Sequence, residues 1–490
     1  MGRMKKAFSN ELYVELQSKH IQERIQQFDN KLYLEFGGKL FDDHHASRVL
    51  PGFEPDSKLK MLLRLKDKVE VIIAVCAKDL ERRKMRSDLG ISYDDEVVRL
   101  IEEYHRVGLY VGSVTITQYQ HQNAADTFKA KLENRGIRVF MQYPIIGYPH
   151  DVNHIISPEG FGKNEYIITS KPLVVVTAPG PGSGKMATCL SQLYHEHLHG
   201  IRAGYAKFET FPIWNLPLKH PVNLAYEAAT IDLNDVNMID PFHLEKYNIT
   251  TVNYNRDIEI FPVLNTMFQK IFGESPYASP TDMGVNMAGY AIIDDEAARD
   301  ASCREIVRRY YHAQVDYLMG KINEDSLEKM QILLSQANVD AKNRKCAIVA
   351  HEIAENNDIP VCAIELNDGQ LISGKTSSLL RCSSAALLNA LKYLAHIDQD
   401  VQLISPSMLK SILSLKNDYL NKKNPLLEMN EVLLTLTIAS SHDQNAKSCL
   451  EVLPMLKDAE IHSTVILSKN DTDILRQLQM NFTCDPKTNS

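Results

Sequence analysis

The sequence predicts a multi-domain α/β protein. Strand-like apolar runs alternate with helix-like segments from the start to about residue 235. The same alternation returns after about residue 336, and a mostly helical stretch separates the two. The 490 residues, 44% hydrophobic and 24% charged, are enough for several globular domains of about 100–200 residues each.

Taken in order, residues 31–36 alternate Leu32, Leu34 and Phe36 inward and turn at Gly37-Gly38 into 39–41, which predicts a β-hairpin. Residues 69–75 read as a buried strand. Residues 94–106 read as a polar helix with Val97, Leu100, Ile101 and Tyr104 on one stripe. Further strands are expected at 110–117, 137–141 and 173–177, with a helix at 124–135 between the first two. In the helical region, 258–271 has apolar residues at helical spacing and stops at Gly273, 274–289 reads as a loop, and 295–318 is a long helix closed by Gly320. The last region predicts a helix at 343–356, strands at 361–366 and 371–373 around an Asp368-Gly369 turn, and a helix at 383–394. A strand at 432–439, a helix at 446–456 and a strand at 462–467 complete it. These readings give domains 1–235, 236–335 and 336–490.

Charge and composition exclude several classes. Lys plus Arg is 54 and Asp plus Glu 62, a net charge of −8 spread along the chain, which offers no footprint for nucleic acid. The apolar runs are too short to span a bilayer, so no membrane partner is expected. No two of the eight cysteines lie within four residues of each other, which removes zinc ribbons and redox C-x-x-C pairs and points to a reduced, cytoplasmic setting. A homo-oligomer is compatible with the sequence.

The strongest chemical signal is a glycine-rich strand-to-helix turn. The run Leu173-Val174-Val175-Val176-Thr177 leads into Ala178-Pro179-Gly180-Pro181-Gly182-Ser183-Gly184-Lys185 and then a helix at 186–198. Glycines let backbone N–H groups surround an anion, the helix start adds free donors and a positive dipole end, and Lys185 brings a mobile ammonium. The expected binding residues are therefore Gly180, Gly182, Ser183, Gly184, Lys185 and Thr188. Lys185 is also the candidate catalytic cation, and the ligand is a small phosphorylated molecule such as ATP or another nucleotide with Mg²⁺. Met186 stands where the phosphate-loop pattern has the Mg²⁺-ligating Ser or Thr, leaving Ser183 or Thr188 as substitutes. The short acidic candidate for the metal is Ile292-Ile293-Asp294-Asp295.

A second motif follows on the same helix. His195-Glu196-His197-Leu198-His199 satisfies H-E-x-x-H, so His195 and His199 could share a zinc with Glu196 as general base. Three histidines before Gly200 equally suit the last turn of a helix. Glu209 and Glu227 are the nearest third ligands. From Lys185 to His195 is about 15 Å along a helix, so one small substrate cannot touch both motifs.

Three other stretches hold polar clusters. Asp42, Asp43, His44, His45 and Arg48 follow the 37–38 turn. Lys207 and Glu209 sit among aromatics in 206–214, beside the single Trp. Asp232, Asp235, Asp240 and His243 supply oxygen and nitrogen at close spacing without the EF-hand pattern.

The segments 31–53, 179–185, 205–218 and 223–243 together resemble one bacterial family, the domain of unknown function 1846 family, also called uncharacterised protein family 0371. The resemblance covers nearly the whole chain. It implies a cytoplasmic bacterial protein, and some members carry the label of ATP-dependent peptidase. Residues 363–369, 373–375 and 382–387 also resemble the core of cytidine-deaminase-like domains, a three-layer α/β fold. Ser384 stands where those enzymes place their acid, and 406–410 has no cysteine pair, so the likeness implies the fold without the chemistry. Three functions stand side by side: a phosphate- or nucleotide-binding protein, including an ATP-dependent enzyme; a zinc hydrolase or peptidase; and a non-catalytic binding or assembly protein.

Overall fold

A computed structural model describes residues 5–37, 40, 43–86, 90–421 and 425–488. Its contacts divide the chain into two compact units. One takes in Lys6–Glu227 and Asp235–Arg299; the other takes in Ala228–Asn234 and Asp300–Ser490. The stretch expected as a helical domain, 236–335, is thus shared between them.

The first unit is built on a six-stranded, wholly parallel sheet. Its strands are β1 (Leu32–Phe36), β2 (Val69–Cys76), β3 (Tyr110–Thr117), β4 (Val139–Met141), β5 (Leu173–Thr177) and β6 (Gly204–Phe208). They lie in the order β4-β3-β2-β5-β1-β6. A parallel sheet carries helices on both faces, so its strands are apolar almost throughout rather than on alternate residues. That is why every residue of β1, β2 and β5 is buried.

It also corrects the hairpin expected at 31–41. β1 is flanked by parallel strands on both sides, β5 and β6, and has no free edge for a returning partner. Of the expected return strand, Lys39 and Phe41 lie outside the described residues.

The helices α1 (Tyr93–Arg106) and α2 (Asn123–Glu133) fall between β2 and β4 in the chain. α1 carries Asp94, Asp95 and Glu96 in its first turn and His105 and Arg106 in its last, each charge on the favourable end of the dipole. Its stripe of Val97, Leu100, Ile101 and Tyr104 is buried as the spacing requires. α3 (Lys185–Leu198) follows β5, and α4 (Asn255–Phe272) ends at Gly273 with φ +86°. Two short antiparallel strands, β7 (Asn237–Ile239) and β8 (Val252–Tyr254), correct the mostly helical reading after 236.

Residues 292–295 are the approach to the helix α5 (Asp295–Leu318), not a strand end. Asp294 accepts from the Ala297 amide, and Asp295 is paired with His220 and Arg299, so these acids are engaged locally. Within 232–243, Asp240 caps the helix Pro241–Tyr247 and Asp235 pairs with Arg256.

The second unit holds α6 (Lys345–Asn357), the hairpin β9 (Val361–Glu365) and β10 (Leu371–Lys375), α7 (Cys382–Leu394), α8 (Met429–Ala439), β11 (Glu460–Ser463), α9 (Lys469–Gln477) and β12 (Asn481–Cys484). The sheet order is β10-β9-β11-β12, with β9 antiparallel to both neighbours and β11 parallel to β12. Alternate residues of β9 feed two cores. Cys362 and Ile364 pack with Ala386 and Leu387 of α7, while Val361 and Ala363 pack with Cys346 and Ala350 of α6. The domain is therefore three-layered. Residues 432–439, expected as a strand, are helical: Val432 and Leu436, four apart, share the buried face, and Glu431 reaches back to the Glu428 amide.

Candidate functional site

The site lies at the carboxyl ends of the parallel strands. β2, β3 and β4 step outward in one direction, whereas β5 sits on the other flank of β2. Chain connections therefore part in opposite directions between β2 and β5. Such a switch point opens a crevice, and ligands of doubly wound sheets bind there. The glycine-rich turn leaves β5 at this place.

Close packing explains the glycines. A Cβ on Gly180 would stand 2.1 Å from the Tyr93 hydroxyl. Gly184 has φ +88°, and its Cβ would meet the Thr117 side chain at 2.9 Å. Thr117, the last residue of β3, donates to the Ser183 carbonyl at 2.8 Å and so ties the turn to the sheet. The first backbone bond of α3 outside the helix itself is Thr188 N–H to the Gly184 carbonyl. Gly184 provides no side-chain cap, and the amides of Lys185, Met186 and Ala187 meet no acceptor among the described residues. Pro181 and Gly182 are exposed above them, and Lys185 is half-buried with no ion-pair partner among the described residues.

The two hydroxyls expected near Mg²⁺ are committed elsewhere. Ser183 is fully buried and donates to the Gly180 carbonyl at 2.9 Å, and Thr188 is fully buried and donates to Gln142 at 2.8 Å. The anion-binding capacity of the turn thus rests on backbone amides and Lys185.

Beside the turn lies an acidic cluster. Glu35 of β1 is in register with Val176 of β5 on one side and Lys207 of β6 on the other. The Tyr205 hydroxyl donates to Glu35 at 2.6 Å. Lys207 Nζ lies 2.6 Å from both carboxylate oxygens of Asp257, on α4, and 3.2 Å from Glu209. Two carboxylates thus share one ammonium, with Glu35 in register beside it. Burial pushes the Glu209 carboxyl up to about 7, with Asp257 and Glu35 adding to the rise against the pull of Lys207. Cys189, one turn after Lys185, is fully buried. Burial raises its thiol well above the ordinary value, Glu35 raises it further and Lys185 opposes. His45 stacks edge-on against Phe211 and Tyr226 nearby. Asp43 pairs with buried Lys58 at 2.8 Å, and Asp42 lies outside the described residues.

A carboxyl group titrating near neutrality is suited to exchange protons with a ligand. Because the fold raises the pKa of Glu209, it holds that proton more tightly than the unfolded chain does. The associated stability is complete below the ordinary value of 4.5 and is lost as pH rises to about 7. Glu209→Gln is expected to flatten this decline, read as denaturation midpoints across that range; equal pH dependence in the two proteins would contradict the assignment.

The H-E-x-x-H side chains are arranged differently. His195 Nε2 is 3.1 Å from the Phe161 carbonyl, and His199 Nδ1 is 2.7 Å from the His195 carbonyl. The Tyr166 ring stacks on His199 at 4.6 Å. Glu196 is buried and accepts from the Tyr33 hydroxyl at 2.6 Å. Glu209 stands with Lys207, and Glu227 accepts from the Asn237 amide. Among the described residues, the His, Cys, Asp and Glu side chains whose ligand atoms gather in a trio are His351, His462 and Asp485.

Sequence reading found Lys185, Lys207 and Glu209 but not Glu35 or Asp257. Glu35 had a signal: it is a carboxylate inside an otherwise apolar strand. Asp257 had none, because only the fold carries it to Lys207.

With the geometry in place, comparison with known proteins decides the family. A family model described as "Domain of unknown function DUF1846, N-terminal" matches residues 6–338, and its C-terminal counterpart matches 342–490. The chain belongs to the DUF1846 family. A "UPF0371 protein" of Streptococcus thermophilus is 57% identical over 482 residues, 98% of each chain. A "UPF0371 protein" of Streptococcus pneumoniae is 56% identical over the same span and share. The boundary between the two DUF1846 models falls just before α6, which opens the three-layer sheet. Among the described residues, no helix is long and apolar enough to cross a membrane.

Proposed function

We propose that this DUF1846 chain binds a small phosphorylated ligand, a nucleotide first among them, at the carboxyl edge of its parallel sheet. The observation that carries the proposal is the set of amides at 185–187, which meet no acceptor among the described residues, beside the ammonium of Lys185. Gly180, Gly182 and Gly184 shape the turn, and Ser183 braces it through Gly180. Backbone donors at a helix start, with the dipole behind them, favour a phosphate over a neutral group.

Glu209, with Glu35, Asp257 and Lys207, supplies acid–base capacity beside the anchor, so an ATP-dependent enzyme is compatible with this half of the site. The test is calorimetric titration of the full chain with ATP, ADP, pyrophosphate and a sugar phosphate. Saturable binding of at least one is expected. Folded protein that binds none of them would leave the non-catalytic assembly reading in its place.

A further inference from the structure

The geometry points to a divalent transition-metal site in the C-terminal unit, held by His351 Nε2, His462 Nε2 and one carboxylate oxygen of Asp485. It is independent of the phosphate-binding proposal and uses none of the same residues.

Three elements bring the ligands together. His462 lies on β11, Asp485 follows directly on β12, and His351 projects from α6. The parallel register of β11 and β12 sets His462 opposite Thr483, and the Asp485 amide donates to the Ser463 carbonyl at 2.9 Å. These ladder bonds fix the carboxylate beside the imidazole. His351 Nε2 lies 2.8 Å from Asp485 Oδ2, and His462 Nε2 lies 3.3 Å from Asp485 Oδ1. All three ligand atoms fall within 4.8 Å of one another. Ligands at about 2.0–2.1 Å from a tetrahedral Zn²⁺ stand roughly 3.3 Å apart, close to the two histidine–carboxylate distances.

The hydrogen bonds around His462 give a second, independent pointer. Thr483 Oγ1 gives its proton to the Ile461 carbonyl at 3.4 Å. The same hydroxyl lies 2.9 Å from His462 Nδ1 and holds the ring in place. With Nδ1 engaged by Thr483, the other ring nitrogen, Nε2, faces the carboxylate of Asp485. That nitrogen is fully buried, lies 3.3 Å from Asp485 Oδ1 and makes no well-formed hydrogen bond among the described residues. A cation between this nitrogen and the carboxylate would satisfy both groups. An oriented imidazole whose far nitrogen is pinned by an outer partner is also how proteins prepare a histidine for a metal.

The remaining surroundings suit the same ion. The ring of His462 is held by Tyr311 at 4.9 Å and by His351 at 5.2 Å, both near edge-on. The neighbouring cation, Arg344, is paired with Glu460 at 2.6 Å. The His351 side chain is 38% exposed, which gives an ion an entry path and leaves a coordination position for water. Two imidazoles and a carboxylate favour Zn²⁺, Co²⁺ or Ni²⁺ over Mg²⁺ or Ca²⁺, which take oxygen ligands.

The test uses chelator-treated full-length protein titrated with Zn²⁺ by calorimetry and with Co²⁺ by visible absorption. One equivalent is expected to bind, with the d–d bands of imidazole-ligated Co²⁺. His351→Ala, on a partly exposed helix face and so safe for folding, and the isosteric Asp485→Asn are each expected to weaken binding by about a hundredfold or more. His195→Ala is expected to retain the equivalent. The inference is overturned if the wild type binds no stoichiometric metal, or if His351→Ala and Asp485→Asn bind as the wild type does. Loss of the ion in His195→Ala instead would move the site to the H-E-x-x-H helix and equally overturn it.

Discussion

Glu460→Ala is expected to lower the stability of the C-terminal unit by about 3–5 kcal/mol. Glu460 opens β11 and is the one carboxylate between two buried arginines. Arg308 Nη1 of α5 lies 2.5 Å from its Oε1, and Arg344 Nη1 lies 2.6 Å from its Oε2. The arginine side chains are 7% and 6% exposed, and that of Glu460 12%. Arg308 retains Glu305 at 2.8 Å, but among the described residues Arg344 is left with the carbonyls of Ile461 and Asn481. Removing the acid therefore strands a buried guanidinium, which costs far more than an exposed pair is worth. Denaturant unfolding measures the change. A loss under about 1 kcal/mol would mean that water reaches Arg344 and that the triad is not a buried network.

Lys185→Ala is expected to weaken binding of a phosphorylated ligand by about ten- to a hundredfold with little change in folding stability. A charge-assisted hydrogen bond contributes about 1.5–3 kcal/mol, which is a factor of that size. Stability should hold because Lys185 has no ion-pair partner among the described residues and alanine is the better helix former. Calorimetry and a thermal melt of the two proteins make the comparison. Equal affinities would assign the anchoring to the backbone amides alone, whereas a large drop in melting temperature would give Lys185 a structural role.

The chain's α/β character was legible because parallel strands are local apolar runs: 173–177 matches β5 residue for residue, and 69–75 falls one short of β2. The sheet order was not, since nothing in residues 31–36 states that both flanks of β1 are taken by parallel strands. Alternation therefore sent Tyr33 and Glu35 outward, when both are buried under covering helices. Residues 432–439 misled in the opposite sense. Their apolar, β-branched content suggests a strand, and the deciding signal lay upstream in the Glu428–Glu431 cap.

Legibility of the candidate site followed the same division. The glycine-rich turn is contiguous and so is visible in the chain. Glu209 beside Lys207 is visible in the chain, but the joining of carboxylates 35, 209 and 257, and of the trio 351, 462 and 485, is the work of tertiary structure, and spacing carries no trace of it. The H-E-x-x-H pattern shows the limit of spacing in another way. It can set two histidines on one face, but it cannot say that His195 Nε2 turns to a carbonyl.

The central claim, that main-chain donors at the start of α3 hold an anion, is tested most directly by amide NMR of the labelled full-length chain titrated with pyrophosphate. Saturable downfield shifts concentrated at Gly182, Gly184, Lys185, Met186 and Ala187 are expected. Unmoved amides at these positions, with binding absent or mapped to another part of the chain, would contradict it.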